Sequence, residues 1–285
     1  MDATGDEVVK GYSMSENRSL LQLRGIIKIF SKGTIDEITA LDNVNLDVNA
    51  EDYITIIGSN GAGKTTLLNV IAGVFPPERR GKVIVNGNDI TGLSEYKHAA
   101  CIGRVYQDPY IGTAAKMTIE ENLAMAVLRG QPRRLRAASN KQRRELFRSA
   151  LAPLGLGLED RLDALVGTLS SGQRQAVALV MATISKPPLL LLDEHTANLD
   201  PKTAQIVLEL TEMIVQQEKM TTMMVTHNMK LALRYGNRLI MMHEGRIAVD
   251  LNQEQRAGLT INDLVAAFEQ ASGRRFIEDK TLLRH

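Results

Sequence analysis

Cys101 is the only cysteine among 285 residues, so no intrachain disulfide can form and a reducing compartment is expected. It lies beside Ala99, Ala100 and Ile102 and reads as a small buried hydrophobe rather than a reactive thiol. No stretch approaches the roughly 20 apolar residues that a membrane helix needs. Met1 to Ser19 has no apolar centre, so it does not read as a signal peptide. A soluble or peripheral protein is therefore expected. Neither sign of charge dominates: 34 Lys and Arg face 33 Asp and Glu, a net +1. Bulk electrostatics thus favours neither nucleic acid nor an anionic membrane, and any basic surface must be local. Internal repeats and low-complexity segments are missing too. What is present is a 44% hydrophobic composition, enough to bury a substantial core in one large domain or two small ones.

The rest is organised around Gly58-Ser59-Asn60-Gly61-Ala62-Gly63-Lys64-Thr65, which matches G-x-x-x-x-G-K-[ST] at every fixed position. Tyr53 to Ile57 before it reads as a buried parallel strand, and Thr66 to Ala72 after it reads as a helix. Glycines let the backbone wrap a polyphosphate with its N–H groups pointing inward, and the helix N-terminus adds unpaired donors and its positive dipole end. Lys64 can reach the β- and γ-phosphates, and the Thr65 hydroxyl can hold Mg²⁺. The motif predicts nucleoside-triphosphate binding.

Residues 1–20 carry no periodicity and read as a flexible tail. Leu21 to Phe30, Leu41 to Val48 and Lys82 to Val85 read as an antiparallel sheet flanking the phosphate-binding core, with a turn at Asn86-Gly87. Another apolar run spans 101–107 and ends before Pro109. From 118 to 170 the composition turns helical and basic, within an inserted helical subdomain of about 109–171, with Thr118 and Glu121 placed as a capping box. Arg129, Arg133, Arg134, Arg136, Lys141, Arg143, Arg144 and Arg148 fall in one span, opposed there only by Glu145. That run is either a solvated helix face or a contact surface for acidic groups or lipid heads. Gly172 to Ile184 reads as a helix, and Leu189 to Leu192 as a buried strand ending in Asp193-Glu194. A helix follows over Lys202 to Glu218, with an expected apolar stripe of Ile206, Val207, Leu210, Met213 and Ile214. Thr221 to Thr226 is a strand ending at His227. Arg238 to Met242 and Arg246 to Asp250 form a hairpin about Glu244-Gly245, and Thr260 and Asp263 cap a helix over Ile261 to Gln270.

The chemistry-bearing side chains sit where strands end, which is where open α/β sheets place ligands. From Asp193 a carboxylate can reach a Mg²⁺ held by Thr65. Leu169-Ser170-Ser171-Gly172-Gln173-Arg174-Gln175 precedes that strand and resembles the signature motif of ABC-type ATPases. Gln107 falls where that family has its Q-loop, Asn198-Leu199-Asp200 where it has its D-loop, and His227 where it has its switch histidine. The order and spacing agree from about Leu21 to Asp250. Taken alone, His227 reads as a structural histidine, and a core position is the lesser alternative for Phe30; His98, His195, His243 and His285 match no functional position.

The resemblance implies an α/β fold: a P-loop NTPase (RecA-like) core with an antiparallel β subdomain and an inserted α-helical subdomain. It divides the chain into the tail 1–20, an ATPase domain over 21–250 and a C-terminal helix and tail over 251–285. It implies a head-to-tail homodimer, each ATP lying between one subunit's phosphate loop, Gly58 to Thr65 with Thr66, and the other's Ser170, Ser171, Gly172 and Gln173. Glu194 becomes the general base, with His227 on the γ-phosphate. Gln107 senses Mg²⁺ and the attacking water. Asp193 and Thr65 hold the metal, Asp200 contacts the opposite phosphate loop, and Phe30 stacks on adenine. The family usually has glycine where Ser171 stands, which puts the signature's geometry in question.

ATPases of this kind that carry no membrane helices resemble parts of prokaryotic importers. The segments 102–109, 190–200 and 223–242 look like ATPases paired with branched-chain-type permeases. Import of a small solute such as an amino acid is therefore expected. The implied partners are integral-membrane permease subunits and an extracytoplasmic substrate-binding protein, with the subunit peripheral on the cytoplasmic face of the cell membrane. No nucleic-acid partner is expected. The alternative is a non-transport ABC ATPase acting in nucleic-acid maintenance or translation. Its usual long coiled-coil inserts or paired cassettes have no counterpart here, since no sustained heptads occur.

Overall fold

The computed structural model describes residues 19–131 and 140–272. The tail 1–18, Arg133, Arg134 and Arg136 of the basic stretch, and residues 273–285 with His285 lie outside the described residues.

Two sheets share the molecule. The first is antiparallel, ordered β2-β1-β4-β5, from β1 (Leu21–Phe30), β2 (Ile38–Val48), β4 (Lys82–Val85) and β5 (Asn88–Asp89). The second is the core sheet, ordered β10-β9-β3-β8-β7-β6. Its strands are β3 (Tyr53–Gly58), β6 (Ile102–Val105), β7 (Leu189–Asp193), β8 (Thr221–Val225), β9 (Arg238–His243) and β10 (Arg246–Leu251). All neighbours in it are parallel except β9 and β10. The hairpin read at 238–250 thus extends the core sheet, because β9 pairs parallel to β3.

Every residue of β3, β7 and β8 is buried. That is why these strands read as unbroken apolar runs, since parallel strands are covered on both faces. In β2 the alternation slips between Leu41 and Val44, where the ladder with β1 shifts register and Asn43 takes φ 53. An extra residue is accommodated there as a bulge.

The helices are α1 (Lys64–Ile71), α2 (Glu95–His98), α3 (Ile119–Val127), α4 (Lys141–Leu151), α5 (Ser171–Thr183), α6 (Pro201–Gln217), α7 (Met229–Arg234), α8 (Gln253–Arg256) and α9 (Ile261–Ser272). The capping box at Thr118 and Glu121 is formed, and Thr260 and Asp263 bond reciprocally at the start of α9. The stripe expected on α6 is rotated. Val207 and Leu210 are buried as expected and Met213 and Ile214 are half-buried against the core, but the buried face turns toward Leu208, Thr211 and Val215, and Ile206 is exposed. Helical periodicity fixes the spacing of a stripe but not which of two adjacent faces meets the core; here α5 packs on α6 and decides it. The basic run is also partly neutralised from outside its own span. Arg144 pairs with Glu120 on α3 and with Asp163 at 2.9 Å, while Arg148 pairs within the span with Glu145 at 3.6 Å.

Candidate nucleotide site

The loop from Ser59 to Gly63 leaves β3 and enters α1. Gly58 has φ 154, and a Cβ there would fall 2.3 Å from the Met242 carbonyl oxygen. Gly63, the N-cap of α1, is left-handed at φ 97, and its Cβ would fall 2.5 Å from the Ala40 carbonyl oxygen. Both positions need glycine for the close approach of β9 and β2 to the loop. The first intrahelical bond runs from Leu67 N–H to Gly63 C=O, and the N–H groups of the first turn have no acceptor within the helix. Lys64 is buried, its ammonium folded back to donate to Gly58 O at 2.7 Å and Ser59 O at 3.0 Å. The loop therefore holds its cation inside its own curve. Asn60, Gly61 and Thr65 are exposed around it, Ala62 is buried, and Thr66 is half-buried.

Beside the loop, at the end of β7, Thr65 Oγ1 donates to Asp193 Oδ1 at 3.2 Å. The other carboxylate oxygen accepts from Arg104 at 3.2 Å, and Arg104 also donates to Asn69 Oδ1 at 2.7 Å. Burial pushes the Asp193 carboxyl up, with Arg104 and the Thr65 hydroxyl opposing. Glu194 follows with φ 45, an unusual conformation for a residue with a Cβ. Its Oε2 is 3.4 Å from His227 Nδ1. That hydrogen bond holds the Glu194 carboxyl below its ordinary value and raises the His227 imidazole. A cavity of about 370 Å³ opens beside the pair, with Leu208, Met224 and Leu231 among its walls.

The remaining expected residues fall outside this corner. Gln107 is exposed; its main-chain oxygen accepts from Asn198 Nδ2 at 3.4 Å, and its side chain takes no part in the hydrogen bonds of Thr65, Asp193 or Glu194. Ser170 caps α5 in a reciprocal box with Gln173. Ser171 is the first residue of α5 and has no positive φ, so serine meets no backbone penalty there. Gly172 is the position that needs glycine, because a Cβ would fall 2.1 Å from Thr203 Cγ2 on α6. Asp200 caps α6, accepting from Thr203 N–H at 3.1 Å; the Thr203 hydroxyl first, and that N–H after it, lower its carboxyl. Within one chain the signature residues thus bond to one another and pack on α6. Phe30 is half-buried, edge-on to Phe75 at 5.3 Å between centroids, with Lys28 Nζ 5.4 Å from its ring.

Among the other histidines, His98 is buried with Nδ1 2.9 Å from Ile71 O. His195 is buried against Thr211, and His243 packs edge-on to Phe268. Cys101 is half-buried, and burial pushes its thiol up. Sequence reasoning missed Arg104, Asn69 and Thr203. Arg104 had left one signal, a lone charge inside the apolar run of β6.

Comparison with known proteins gives one answer at three levels. The family model described as ABC transporter matches residues 41–197. The chain is 41% identical over 252 residues to a tyrosine transport ATP-binding protein of Clostridioides difficile, covering 88% of this chain and 100% of that one. It is 34% identical to the lipoprotein-releasing system ATP-binding protein LolD of Chromohalobacter salexigens, covering 84% of this chain and 97% of that one. Among solved structures it resembles an ATP-binding cassette in a dimeric post-hydrolysis state bound to ADP and Pi. There the TM-score is 0.70 and the identity 27%, with 82% of this chain and 98% of that one covered.

Proposed function

The chain belongs to the ABC transporter family as an ATP-binding subunit, an ATPase coupled to transport, and we propose that it drives amino-acid import through a separate permease. The observation that carries the substrate class is the 41% identity to a tyrosine transport ATP-binding protein along that protein's whole length. A relative named for methionine import, in Latilactobacillus sakei, is 35% identical. Cassettes of this family bind ATP and work as dimers with membrane permease subunits. No helix among the described residues is long and apolar enough to cross a membrane. In this reading the subunit sits peripherally on the cytoplasmic face, and an extracytoplasmic binding protein delivers the solute. The division into 21–250, with a helical subdomain over about 109–171, and a C-terminal helix belongs to the same proposal.

The site supports a direct hydrolysis. Lys64 leaves its two loop carbonyls for the β- and γ-phosphates, while the amides from Ser59 to Thr66 cradle them. Phe30 offers a ring to adenine. Glu194 takes the proton of the attacking water, whose oxygen bonds to the γ-phosphorus as the bond to ADP breaks. His227, held by Glu194, points its other ring nitrogen to the γ-phosphate. Ser170, Ser171, Gly172 and Gln173 face the γ-phosphate of the opposite subunit, Asp200 meets that subunit's loop, and Gln107 joins the water to the permease side. Thr65 Oγ1 and Asp193 Oδ1, 3.2 Å apart, are paired hard-oxygen donors that fit Mg²⁺. Bound there, the metal would neutralise charge on the phosphates.

The substrate reading is tested in proteoliposomes holding the subunit, its permease and its binding protein. ATP-dependent accumulation of tyrosine, absent with Lys64→Ala, is expected. Release of lipoprotein or uptake of another solute, without tyrosine uptake, would replace the substrate and leave the family untouched.

A further inference from the structure

The parallel register of β6 with β7 sets Arg104 opposite Leu191, so Asp193, two residues on, projects from the same face of the sheet. The Arg104 and Asp193 side chains are each more than nine-tenths buried. The guanidinium spans two elements, donating to Asp193 Oδ2 at 3.2 Å and to Asn69 Oδ1 at 2.7 Å. Its Cζ lies 4.5 Å from the centroid of the Tyr106 ring, and Tyr106 follows β6 and precedes Gln107. Asn69 is one helical turn beyond Thr65 on α1, on the same face. The four residues therefore close a circuit: Thr65 to Asp193, Asp193 to Arg104, Arg104 to Asn69, and back along α1 to Thr65.

From this circuit we propose that Arg104 is a positioning residue: it pins Asp193 by Oδ2, so that Oδ1 is presented beside the Thr65 hydroxyl, and thereby sets the affinity of this corner for a divalent cation. The proposal rests on the reading of Thr65 and Asp193 as the metal-holding pair. A carboxylate held by one oxygen cannot swing away from the other ligand, and groups that orient a metal ligand commonly tune affinity. The two-ended grip needs a planar fork. Lysine supplies the charge but not two directed donors.

The test is a titration of Mn²⁺, followed by electron paramagnetic resonance, into the full-length subunit with a non-hydrolysable ATP analogue. Arg104→Met should weaken Mn²⁺ about tenfold, within the span typical of groups that orient metal ligands. Nucleotide affinity in chelator should stay within about twofold of wild type, since Arg104 is not among the phosphate-gripping groups. Arg104→Lys should fail to restore the metal. Asn69→Ala, which frees the other end of the fork and keeps the buried ion pair, should weaken Mn²⁺ to a smaller degree and serves if Arg104→Met does not fold. Unchanged Mn²⁺ affinity in Arg104→Met, or in Asn69→Ala where it stands in, would make the arginine a merely structural partner and overturn the proposal. Tighter Mn²⁺ binding would also overturn it, by making Arg104 a competitor for the carboxylate. Asp193→Asn separates the two levels: if it leaves Mn²⁺ unaffected, the metal-site reading fails and the proposal with it.

Discussion

His227 Nδ1 stands 3.4 Å from Glu194 Oε2, bridging the ends of two adjacent parallel strands of the core sheet. Each partner favours the charged form of the other: the carboxyl lies below its ordinary value and the imidazole above it. The pair is half-open to solvent, so its Coulomb energy is screened and its contribution to stability small. Its consequence is geometric. Glu194, at φ 45, is held through one carboxylate oxygen, and its other oxygen is the one that can accept from a water molecule.

Phe30 tests the adenine platform. Its ring stands T-shaped to Phe75 with Lys28 Nζ 5.4 Å from its centroid, and it remains half-buried, so part of the ring is accessible. Phe30→Ala should weaken ATP by about 1–3 kcal/mol, the range for one base on an aromatic side chain. Fluorescent-nucleotide titration measures this. A fall in thermal stability with unchanged ATP affinity would make the ring a core element instead.

His195 gives an acid-sensitive term in stability. It is fully buried, and burial lowers its value from 6.5 to about 4. The Thr211 hydroxyl donates to Val207 O, so it accepts from His195 Nε2–H. Below pH 6.5 the unfolded chain takes up a proton that the folded chain refuses, and stability falls until about pH 4, where the folded ring also protonates. The full loss is on the order of 3 kcal/mol, from roughly 1.4 kcal/mol per unit. Denaturant unfolding from pH 7 to 4 should show this slope, and His195→Gln should flatten it. An equal slope in the variant would assign the acid limb to other groups.

The parts legible in the sequence are those whose chemistry fixes local spacing. Gly58 to Thr65, the fully buried strand before Asp193 and the capping box at Thr118 each occupy a few consecutive residues, and each is found where expected. Contacts across the fold left little trace. Arg104 meets Asn69 across 35 residues, and Gly172 meets Thr203 only once α5 and α6 are packed. The rotated face of α6 and the parallel pairing of β9 with β3 are likewise decided by neighbours that a local window does not contain. Within one chain the close backbone approach is at Gly172, one residue beyond Ser171, and Ser171 itself has no positive φ.

That distinction is measurable. Gly172→Ala would place a Cβ 2.1 Å from Thr203 Cγ2 and should destabilise the fold by about 1–3 kcal/mol, the usual cost of overpacking. Thr203→Ser removes the offending methyl and should recover much of the loss in the double variant. Ser171→Gly should lower stability by no more than about 1 kcal/mol, as glycine does within a helix. Thermal melts of the four proteins decide it. A Ser171→Gly variant that gains stability would show that serine is strained there after all.

Glu194→Gln carries the mechanistic reading. Glutamine keeps the shape and can still hydrogen-bond, but it cannot take a proton from water. ATP should therefore bind and stay intact. The signature residues of one chain bond among themselves and pack on α6, and in the proposed dimer the γ-phosphate finds those donors on a second subunit. Two trapped ATP molecules should then hold two subunits together. Size-exclusion chromatography with light scattering should show a dimer of the variant with ATP and Mg²⁺, and a monomer with ADP, which lacks the γ-phosphate. Wild type should dimerise only transiently, because hydrolysis removes the bridging group. Hydrolysis by Glu194→Gln at the wild-type rate would remove Glu194 as the base. A variant that neither hydrolyses nor dimerises, even with its permease present, would retain the base and turn the question to Ser170, Ser171 and Gly172, the half of the site supplied by the other subunit.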